Sequence, residues 1–374
     1  MSALENSKNS AVKVKVHKSF YDPAKTFDDN FDFGPFATGE HDKPYKNSGR
    51  PQHKVLGKKV HSPFGMPAGP LPNSKFVKYA FDRGFDVICY KTQRSVPFAC
   101  NEFPNVLYLD VDGDLTLEKA AEPIVGKQET DREPHQLTIT NSFGNPSRGP
   151  EFWVDDLRQA VKHQGEGQLL IMSVVGSIKD GFSEEDYWDD FAHTAELAAS
   201  SGVEAIELNL SCPNVATEGV ICYTPQAVIE ISRRTKEKVG NIPVIAKFGY
   251  FSADQQELLE DIVAKSSPYL AAYSAINTIA APVVDEYGQQ ALPGEGRLKS
   301  GSCGAGVKWA GLDMAKRLDG IRRKNNYDYE IIGVGGVMSA DDYQAYRQAG
   351  ADIVQSATGA MWNPQLAGQV KETI

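Results

Sequence analysis

One short pattern occurs three times and constrains the fold more than any other feature of the chain. Its first copy reads Arg83-Gly84-Phe85-Asp86-Val87-Ile88, and it returns at residues 201–206 and 349–354. A glycine in the left-handed conformation ends a helix, and an acidic residue followed by β-branched residues leads into a strand. The pattern therefore predicts a chain in which helices alternate with buried strands.

The same alternation of helices and short apolar strands can be followed beyond these three copies. It gives eight predicted strands, with helices between most of them. The predicted strands lie at about residues 64–68, 86–91, 168–174, 204–210, 243–248, 270–277, 330–335 and 352–356. Eight strands with intervening helices indicate a closed (β/α)8 barrel, the TIM barrel. An open, doubly wound sheet has the same local pattern and stays open as the alternative.

Two parts of the chain extend this repeat. Residues 1–50 are polar and mixed in charge, and we expect an irregular N-terminal arm, ordered in part against the body or a partner subunit. Residues 51–374 are predicted to form one barrel domain, the catalytic domain if the chain is an enzyme, and a hairpin at Val55–Val60 is expected to close the bottom of the barrel. About seventy-five residues separate the second and third strands, so an insertion is expected over the carboxyl face. In it, residues 137–140 are predicted to form an extra strand.

Composition and charge exclude several classes of partner. The net charge of -10 and the pI near 5.3 argue against nucleic acid or an anionic membrane as the main partner. Apolar runs have only strand length, and the first residues do not resemble a signal peptide. The five cysteines form no Cys-x-x-Cys, and the histidines show no metal-ligand spacing. We therefore expect a reduced, cytoplasmic enzyme without a metal site.

The fourth predicted strand leads into an unusual cluster of polar residues. Asn209, Ser211, Cys212 and Asn214 fall within six positions, and Pro213 stiffens the segment that carries the thiol. Two amides and a thiol at the carboxyl end of a strand suit recognition of a flat polar ligand and proton transfer. A strand-to-loop junction explains any one of these residues alone, but not the four together.

Two lysines also stand at predicted strand ends. Lys247 follows four apolar residues, and a cation at that depth needs an anionic partner. Lys91 ends the second strand, where a solvated surface position explains it equally well. Of the other thiols, Cys89 lies in an apolar strand and is interpreted as structural. Cys222 lies in the loop after the cluster, where it could be exposed.

The segment Asn209-Leu210-Ser211-Cys212-Pro213-Asn214-Val215 resembles the signature of the class 1 dihydroorotate dehydrogenases. These flavoproteins oxidise dihydroorotate to orotate in pyrimidine synthesis. The resemblance extends from about Ser62 to about Trp362 and leaves the first sixty residues largely outside. It favours the barrel over the open sheet and implies FMN as the cofactor. It also implies that Cys212 is the base that takes a proton from the carbon beside the carboxylate-bearing carbon, which passes a hydride to the flavin.

A second segment, residues 141–146, resembles the substrate loop of this family, although a β-turn would explain it alone. Asn145 stands where the family usually has an apolar residue, and Ala280-Ala281 stand where it often has glycine. Amides both donate and accept, which matches the edges of a pyrimidine ring. The resemblance implies that Lys91 is catalytic and that the substrate is bound by Lys91, Asn141, Phe143, Gly144, Asn145, Asn209, Asn214, Asn277 and Thr278.

Three glycine-bearing segments, at residues 301–306, 333–336 and 357–359, resemble the phosphate-binding loops for FMN. Each alone is a weak signal, but two of them follow the last two strands, where barrel enzymes commonly bind phosphate. The resemblance implies that Lys247 stabilises reduced flavin. The full cofactor-binding set that it implies is Ala68, Gly69, Lys91, Thr92, Ser173, Asn209, Lys247, Ile276, Gly304, Gly335, Gly336, Ala357 and Thr358.

The partners and alternatives follow from the same resemblance. We expect a homodimer that uses a soluble electron acceptor such as fumarate, as single-subunit class 1A enzymes do, and that binds neither nucleic acid nor membrane. The Asn277-Thr278 pair leans instead towards class 1B, which uses a separate subunit with FAD and an iron–sulfur cluster. A related flavin enzyme for another dihydropyrimidine or cyclic imide remains open. So does a flavin-free, phosphate-binding lyase or isomerase; a non-catalytic binding module is least favoured.

Overall fold

The computed structural model describes residues 18–40, 42–211 and 221–374, in which eight parallel strands close into a barrel. Each strand pairs with its neighbours in chain order, and the eighth pairs with the first. The strands are β1 (Phe64–Met66), β2 (Val87–Gln93), β3 (Leu169–Val174), β4 (Ala205–Asn209), β5 (Val244–Phe248), β6 (Ala272–Ala275), β7 (Glu330–Val334) and β8 (Ile353–Gln355). The predicted (β/α)8 barrel is confirmed, and the open sheet is wrong.

Helices connect the barrel strands and cover its outside. The described helices are α1 (Phe27–Phe33), α2 (Ser74–Asp82), α3 (Leu117–Ala121), α4 (Pro150–His163), α5 (Glu184–Ala199), α6 (Pro225–Val239), α7 (Gln256–Ser266), α8 (Lys308–Asn325), α9 (Ala340–Gln348), α10 (Thr358–Trp362) and α11 (Leu366–Lys371). Eight of them, α2 to α9, lie between consecutive barrel strands in the sequence, and two of these, α3 and α4, lie between β2 and β3. Within the described ranges, no helix is both long enough and apolar enough to cross a membrane.

The recurring sequence pattern has a structural role at the amino end of the barrel. Its glycines, Gly84, Gly202 and Gly350, have φ angles of 85°, 88° and 99° directly after α2, α5 and α9, as predicted. Its acidic residues form ion pairs. These are Asp86 with Lys371 at 2.7 Å, Asp352 with Arg322 at 2.5 Å, and Glu204 with Lys58. The pattern therefore ends each helix and ties the start of the next strand to another part of the chain.

A hairpin closes the amino end of the barrel, as the sequence predicts. Its strands, His53–Val55 and Lys58–Val60, are antiparallel, and Leu56 and Gly57 form the turn with φ angles of 46° and 78°. Residues 55, 56 and 60 pack in one apolar cluster with inward-facing residues of the barrel strands. The N–H of Leu56 donates to Oε1 of Glu330 at 2.7 Å, which fixes the hairpin to β7.

A second, smaller sheet of five strands also closes on itself. It is formed by Tyr108–Leu109, Ile124–Lys127, Thr138–Asn141, Ile279–Val284 and Lys299–Gly304. The first three belong to the predicted insertion, and the third contains the extra strand expected at residues 137–140. The last two follow β6 and pair antiparallel with each other. Since the strand at 279–284 begins just beyond the carboxyl end of β6, this sheet stands at the carboxyl face of the barrel.

The described part of the N-terminal arm, residues 18–40, packs against the body. It contains the helix α1, where the sequence indicated irregular structure, and Thr26 caps this helix by accepting from the N–H of Asp29. Phe20 is fully buried, and its N–H donates to the carbonyl of Met361 at 3.2 Å. The side chain of Asn73 donates to the carbonyl of Phe31 at 2.8 Å. These contacts join the arm to α10 and to the start of α2.

Candidate active site

A polar cavity lies at the carboxyl ends of the barrel strands. Eleven of the site residues predicted from the sequence line it, namely Ala68, Gly69, Asn141, Lys247, Asn277, Thr278, Gly304, Gly335, Gly336, Ala357 and Thr358. They come from both ends of the barrel domain and from the small sheet. Five further lining residues were not predicted, namely Pro67, Cys303, Val334, Val337 and Met338. The barrel thus brings together residues that are up to 291 positions apart in the sequence, from Pro67 to Thr358.

Backbone rather than side chains forms one side of this cavity. Gly336 has a φ of 64°, and a Cβ atom there would lie only 2.6 Å from Cβ of Lys308. A Cβ on Gly335 would lie 3.1 Å from Cγ1 of Ile276, so this predicted residue supports the glycines from behind. Glycine at these positions leaves the backbone close to the cavity, where its N–H groups are accessible to an anion.

Lys247 supplies a positive charge to the same cavity. It lies on β5, in register with Asn209 of β4 and Ser274 of β6, and only 4% of it is exposed. In the described part of the chain, its Nζ atom forms no hydrogen bond or ion pair. A buried ammonium without a partner is unfavourable, and an anionic ligand in the cavity would compensate it.

Two buried hydroxyl groups follow the ends of β4 and β6. Among the described residues, Oγ1 of Thr278, which lines the cavity, and Oγ of Ser211 have no hydrogen-bond partner, although both atoms are buried. Leaving a buried hydroxyl unpaired costs about 1–3 kcal/mol. Their position at the ends of β4 and β6 therefore favours a ligand that hydrogen-bonds to them.

Several predicted residues do not line the cavity but are connected to it by hydrogen bonds. Nδ2 of Asn277 donates to Oδ1 of Asn209 at 3.1 Å, and Nδ2 of Asn209 donates to Oγ1 of Thr92 at 3.3 Å. The hydroxyl of Thr92 lies 3.0 Å from that of Ser173. Asn209, Thr92 and Ser173 therefore form a polar layer behind Asn277.

The predicted substrate loop lies beside Lys91. Nζ of Lys91 is 5.1 Å from the ring centroid of Phe143, and Lys91 is 5% exposed, so it does not occupy a solvated surface position. Asn101 supports the loop, because its N–H donates to the carbonyl of Phe143 and its side chain donates to that of Ser142. Gly144 has a φ of 78°, and its missing Cβ leaves room for the Asn101 side chain.

Asn145 and Arg94 form the far end of this loop. Asn145 has a φ of 53°, and its buried Nδ2 atom has no hydrogen-bond partner in the part of the chain that the structure describes. Arg94 is fully buried, and it donates through Nε to the carbonyl of Asn145 at 3.1 Å and through Nη1 to that of Gly176 at 3.0 Å. Arg94 was not predicted as a site residue, because an arginine just after a strand is usually exposed.

The predicted base, Cys212, and the predicted substrate ligand Asn214 lie outside the described residues. Burial raises the pKa of all four described thiols, to about 11 for Cys100 and Cys303, to about 12 for Cys222, and well above the usual value for Cys89. These four thiols therefore stay protonated near neutral pH.

The suggestion that Cys222 could be exposed is wrong. It is fully buried in the short turn Ile221–Tyr223, and its N–H donates to the carbonyl of Leu210 at 2.9 Å. Cys222 thus lies directly against the residue that follows β4, and its thiol is enclosed there. Sequence proximity to a polar loop did not reveal this burial.

The closed parallel barrel, with a cavity of amides, an ammonium group and glycine backbone at its carboxyl face, defines an enzyme of the (β/α)8-barrel class. The family model described as dihydroorotate dehydrogenase matches residues 122–374. The chain belongs to the dihydroorotate dehydrogenase family, whose members are oxidoreductases.

Individual relatives agree with this assignment. The chain is 37% identical to a dihydroorotate dehydrogenase of Dictyostelium discoideum over 362 residues, which cover 94% of this chain and 96% of the relative. It is 30% identical to the catalytic subunit of dihydroorotate dehydrogenase B (NAD(+)) of Alkaliphilus oremlandii, over 63% of this chain and 71% of the relative. The corresponding subunit of Thermoplasma volcanium is 34% identical over 59% of this chain and 65% of the relative.

The similarity to the Dictyostelium protein reaches further than the sequence motifs indicated. Only 6% of the 374 residues, about 22, lie outside that alignment, so it must include much of residues 1–60. The expectation that the first sixty residues lie largely outside the resemblance is therefore wrong for this relative. The N-terminal arm is at least in part shared with it.

Proposed function

We propose that this chain oxidises dihydroorotate to orotate, with FMN as its bound cofactor. The observation that carries the proposal is the cavity at the carboxyl face, which Lys247 lines together with amide side chains and with the backbone of several glycines. A planar, polar substrate suits the amides. A phosphate suits the glycine backbone, which fits the family to which the chain belongs.

The cavity residues fit FMN. The glycine backbone at residues 304, 335 and 336, with Ala357 and Thr358, would hold the phosphate, and Ala68 and Gly69 would contact the ring system. FMN, when bound, supplies the two-electron oxidant of the reaction. Lys247 would balance the negative charge that reduction leaves on the flavin. This role accounts for a buried ammonium with no partner among the described residues.

On the substrate side, the hydrogen bonds decide which atoms face the ligand. Nδ2 of Asn277 donates both to Asn209 and to the carbonyl of Ser211, at 3.1 and 2.5 Å. Both of its N–H groups are thereby used, so Asn277 offers its Oδ1 atom to the cavity as an acceptor for a ring N–H. Asn141 and Thr278 supply further polar groups. Lys91, next to Phe143, would attract the substrate carboxylate and orient the ring.

Cys212 is the proposed base. It directly follows Ser211, whose carbonyl is bonded to Asn277 at the cavity. Burial raises the pKa values of the other four thiols, which makes them unsuitable as bases near neutral pH. A thiolate at residue 212 would take the ring proton, and Asn214 would contribute to the same side of the substrate.

The proposed acceptor is soluble, with fumarate as the leading candidate, and the proposed assembly is a homodimer in the cytoplasm. The Dictyostelium relative covers 94% of the chain, whereas the two B-type catalytic subunits cover 63% and 59%. The broader match supports a single-chain enzyme. Reoxidation of the reduced protein by fumarate tests this point; reoxidation by NAD only in the presence of a second protein would contradict it.

The visible spectrum of the purified protein tests cofactor and substrate together. We expect a yellow protein with flavin absorption bands that bleach on anaerobic addition of dihydroorotate, with orotate as the product. Flavin bands that dihydroorotate does not bleach would favour a related enzyme for another cyclic imide. A colourless protein that does not take up added FMN would favour a flavin-free lyase or isomerase instead.

A further inference from the structure

A carboxylate inside the barrel has no role in the reaction described so far. Glu207 lies on β4, two residues before Asn209, and only 1% of it is exposed. Its Oε1 atom accepts a hydrogen bond from Oγ of Ser173 at 3.0 Å, and its Oε2 atom has no hydrogen-bond partner within the described ranges. Keeping a carboxyl group in this position is unfavourable for stability, which suggests a function.

The hydrogen bond from Ser173 to Glu207 determines which groups donate and which accept throughout the polar layer behind the cavity. The single hydroxyl proton of Ser173 points to Glu207, so the 3.0 Å contact between Ser173 and Thr92 must use the proton of Thr92. Oγ1 of Thr92 then presents a lone pair to Nδ2 of Asn209. These side chains therefore form one hydrogen-bond chain, in which each residue donates to the next. It runs from Asn277 through Asn209, Thr92 and Ser173 to Glu207.

We propose that Glu207 is a positioning residue. As the terminal acceptor of this hydrogen-bond chain, it fixes which groups donate and which accept. Without an acceptor at residue 207, the hydroxyl of Ser173 can turn towards Thr92. The proton of Thr92 then points towards Asn209, where two donors face each other. The amides of Asn209 and Asn277 lose the support that holds them, and with it the acceptor that Asn277 offers to the ligand. This inference rests on the proposed function, since it assumes that these amides bind the substrate.

Two substitutions separate an acceptor role from a role of charge. Glu207→Gln removes the charge but keeps an oxygen that accepts from Ser173, whereas Glu207→Met removes both at similar volume. Ser274→Ala is the matched control, because Ser274 is also fully buried on the next strand but one and its Oγ atom has no hydrogen-bond partner. If Glu207→Met does not fold, Ser173→Ala is the second variant. It interrupts the hydrogen-bond chain at the residue that donates to Glu207 and leaves Glu207 in place.

The measurement is orotate affinity, from the flavin spectral change in proteins loaded with FMN, together with FMN content per chain. We expect Glu207→Met and Ser173→Ala, once loaded with FMN, to bind orotate about tenfold more weakly, and we expect Glu207→Met to keep the FMN content of the wild type. Glu207→Gln should stay within about threefold of the wild type and Ser274→Ala within about twofold. In the Ser173→Ala background, Glu207→Met should weaken orotate binding little further, because the two residues act through the same hydrogen-bond chain.

Each other result contradicts a defined part of the account. Equal losses in Glu207→Gln and Glu207→Met would show that charge, not the acceptor, matters and would overturn this inference. So would wild-type affinity in Glu207→Met or in Ser173→Ala. A wild-type protein that binds FMN but no orotate would overturn the proposed function, and this inference with it.

Discussion

The ring of Tyr21 meets the ring of Phe143 edge-on, with 5.7 Å between their centroids and an angle of 89° between their planes. Phe27 of α1 contacts the same ring at 6.2 Å. Since Phe143 lies on the proposed substrate loop beside Lys91, the N-terminal arm supports this loop from outside the barrel. The arm therefore packs directly against the proposed substrate loop and is not only a peripheral extension.

Replacement of Tyr21 tests this support. Tyr21→Leu keeps an apolar side chain but removes the ring contact, which is worth about 0.5–1.5 kcal/mol. We expect the KM for dihydroorotate to rise roughly threefold to tenfold, with unchanged FMN content. Tyr287→Leu is the control, because Tyr287 is 87% exposed. An unchanged KM in Tyr21→Leu would show that the arm does not position the loop.

The buried ion pair at the amino end of the barrel predicts a large effect on stability. Lys371 lies 2.7 Å from Asp86, and their side chains are 7% and 0% exposed. Lys371→Met leaves the carboxylate buried and unpaired, so we expect a loss of about 3–5 kcal/mol in the free energy of unfolding. Lys265→Met breaks an exposed pair with Asp261 and should cost only about 0.5 kcal/mol. Similar losses in both variants, measured by urea denaturation, would refute the buried-pair interpretation.

Glu330 predicts a dependence of stability on pH. Burial raises its pKa to about 7, with Asp352 contributing in the same direction, whereas the pKa in the unfolded chain is about 4.3. The folded protein therefore binds one proton more than the unfolded chain between these values. The stabilisation that protonated Glu330 gives the folded state is complete below pH 4 and is lost as pH rises through about 7.

The variant Glu330→Gln is neutral at every pH and should not show this decline. We expect its thermal midpoint relative to the wild type to increase between pH 5 and pH 8. Glu257→Gln, at an exposed position, is the control for the loss of one carboxyl group. Parallel curves for Glu330→Gln and the wild type over this range would contradict the prediction.

The barrel strands could be predicted from the sequence because their signals are local. A glycine, an acidic residue and β-branched residues mark the start of a strand within six positions. The polar residues at the carboxyl ends are then found by following each predicted strand to its last residue. The small five-stranded sheet could not be predicted, because the strand at 299–304 pairs with the strand at 138–141 from a distant part of the chain. No local pattern records such a pairing.

Glu207 and Arg94 were missed for a related reason. Each strand of a closed barrel is buried on both faces, so a polar residue does not stand out by its periodicity. The role of Glu207 depends on Ser173 of the adjacent strand, and that of Arg94 depends on the carbonyls of Asn145 and Gly176. Only the register between strands and the path of the loops reveals these contacts.

Lys247 predicts a change in the potential of the bound flavin. Removing the ammonium in Lys247→Met takes away a favourable interaction of about 1.4–4 kcal/mol with the charge of the reduced cofactor. We expect the two-electron potential to fall by roughly 30–90 mV, so that the flavin is harder to reduce. Spectroelectrochemistry of the FMN-loaded variant measures this value. An unchanged potential in a folded protein would rule out Lys247 as the group that balances the charge.

The central claim is that Cys212 accepts the substrate proton. A free thiol has a pKa of about 8.5, so flavin reduction by dihydroorotate should become faster as pH rises until the thiol is ionised. Cys212→Ser introduces a hydroxyl that is far harder to ionise, and we expect reduction to slow by roughly 10²–10⁴-fold. FMN content and orotate binding should persist, since the cavity residues are unchanged.

Anaerobic stopped-flow measurement of flavin reduction in the wild type and in Cys212→Ser at neutral pH is therefore the most direct test. The proposed mechanism predicts two FMN-loaded proteins that both bind orotate, of which only the wild type is reduced rapidly by dihydroorotate. Equal rates of reduction in the two proteins would show that Cys212 is not the base.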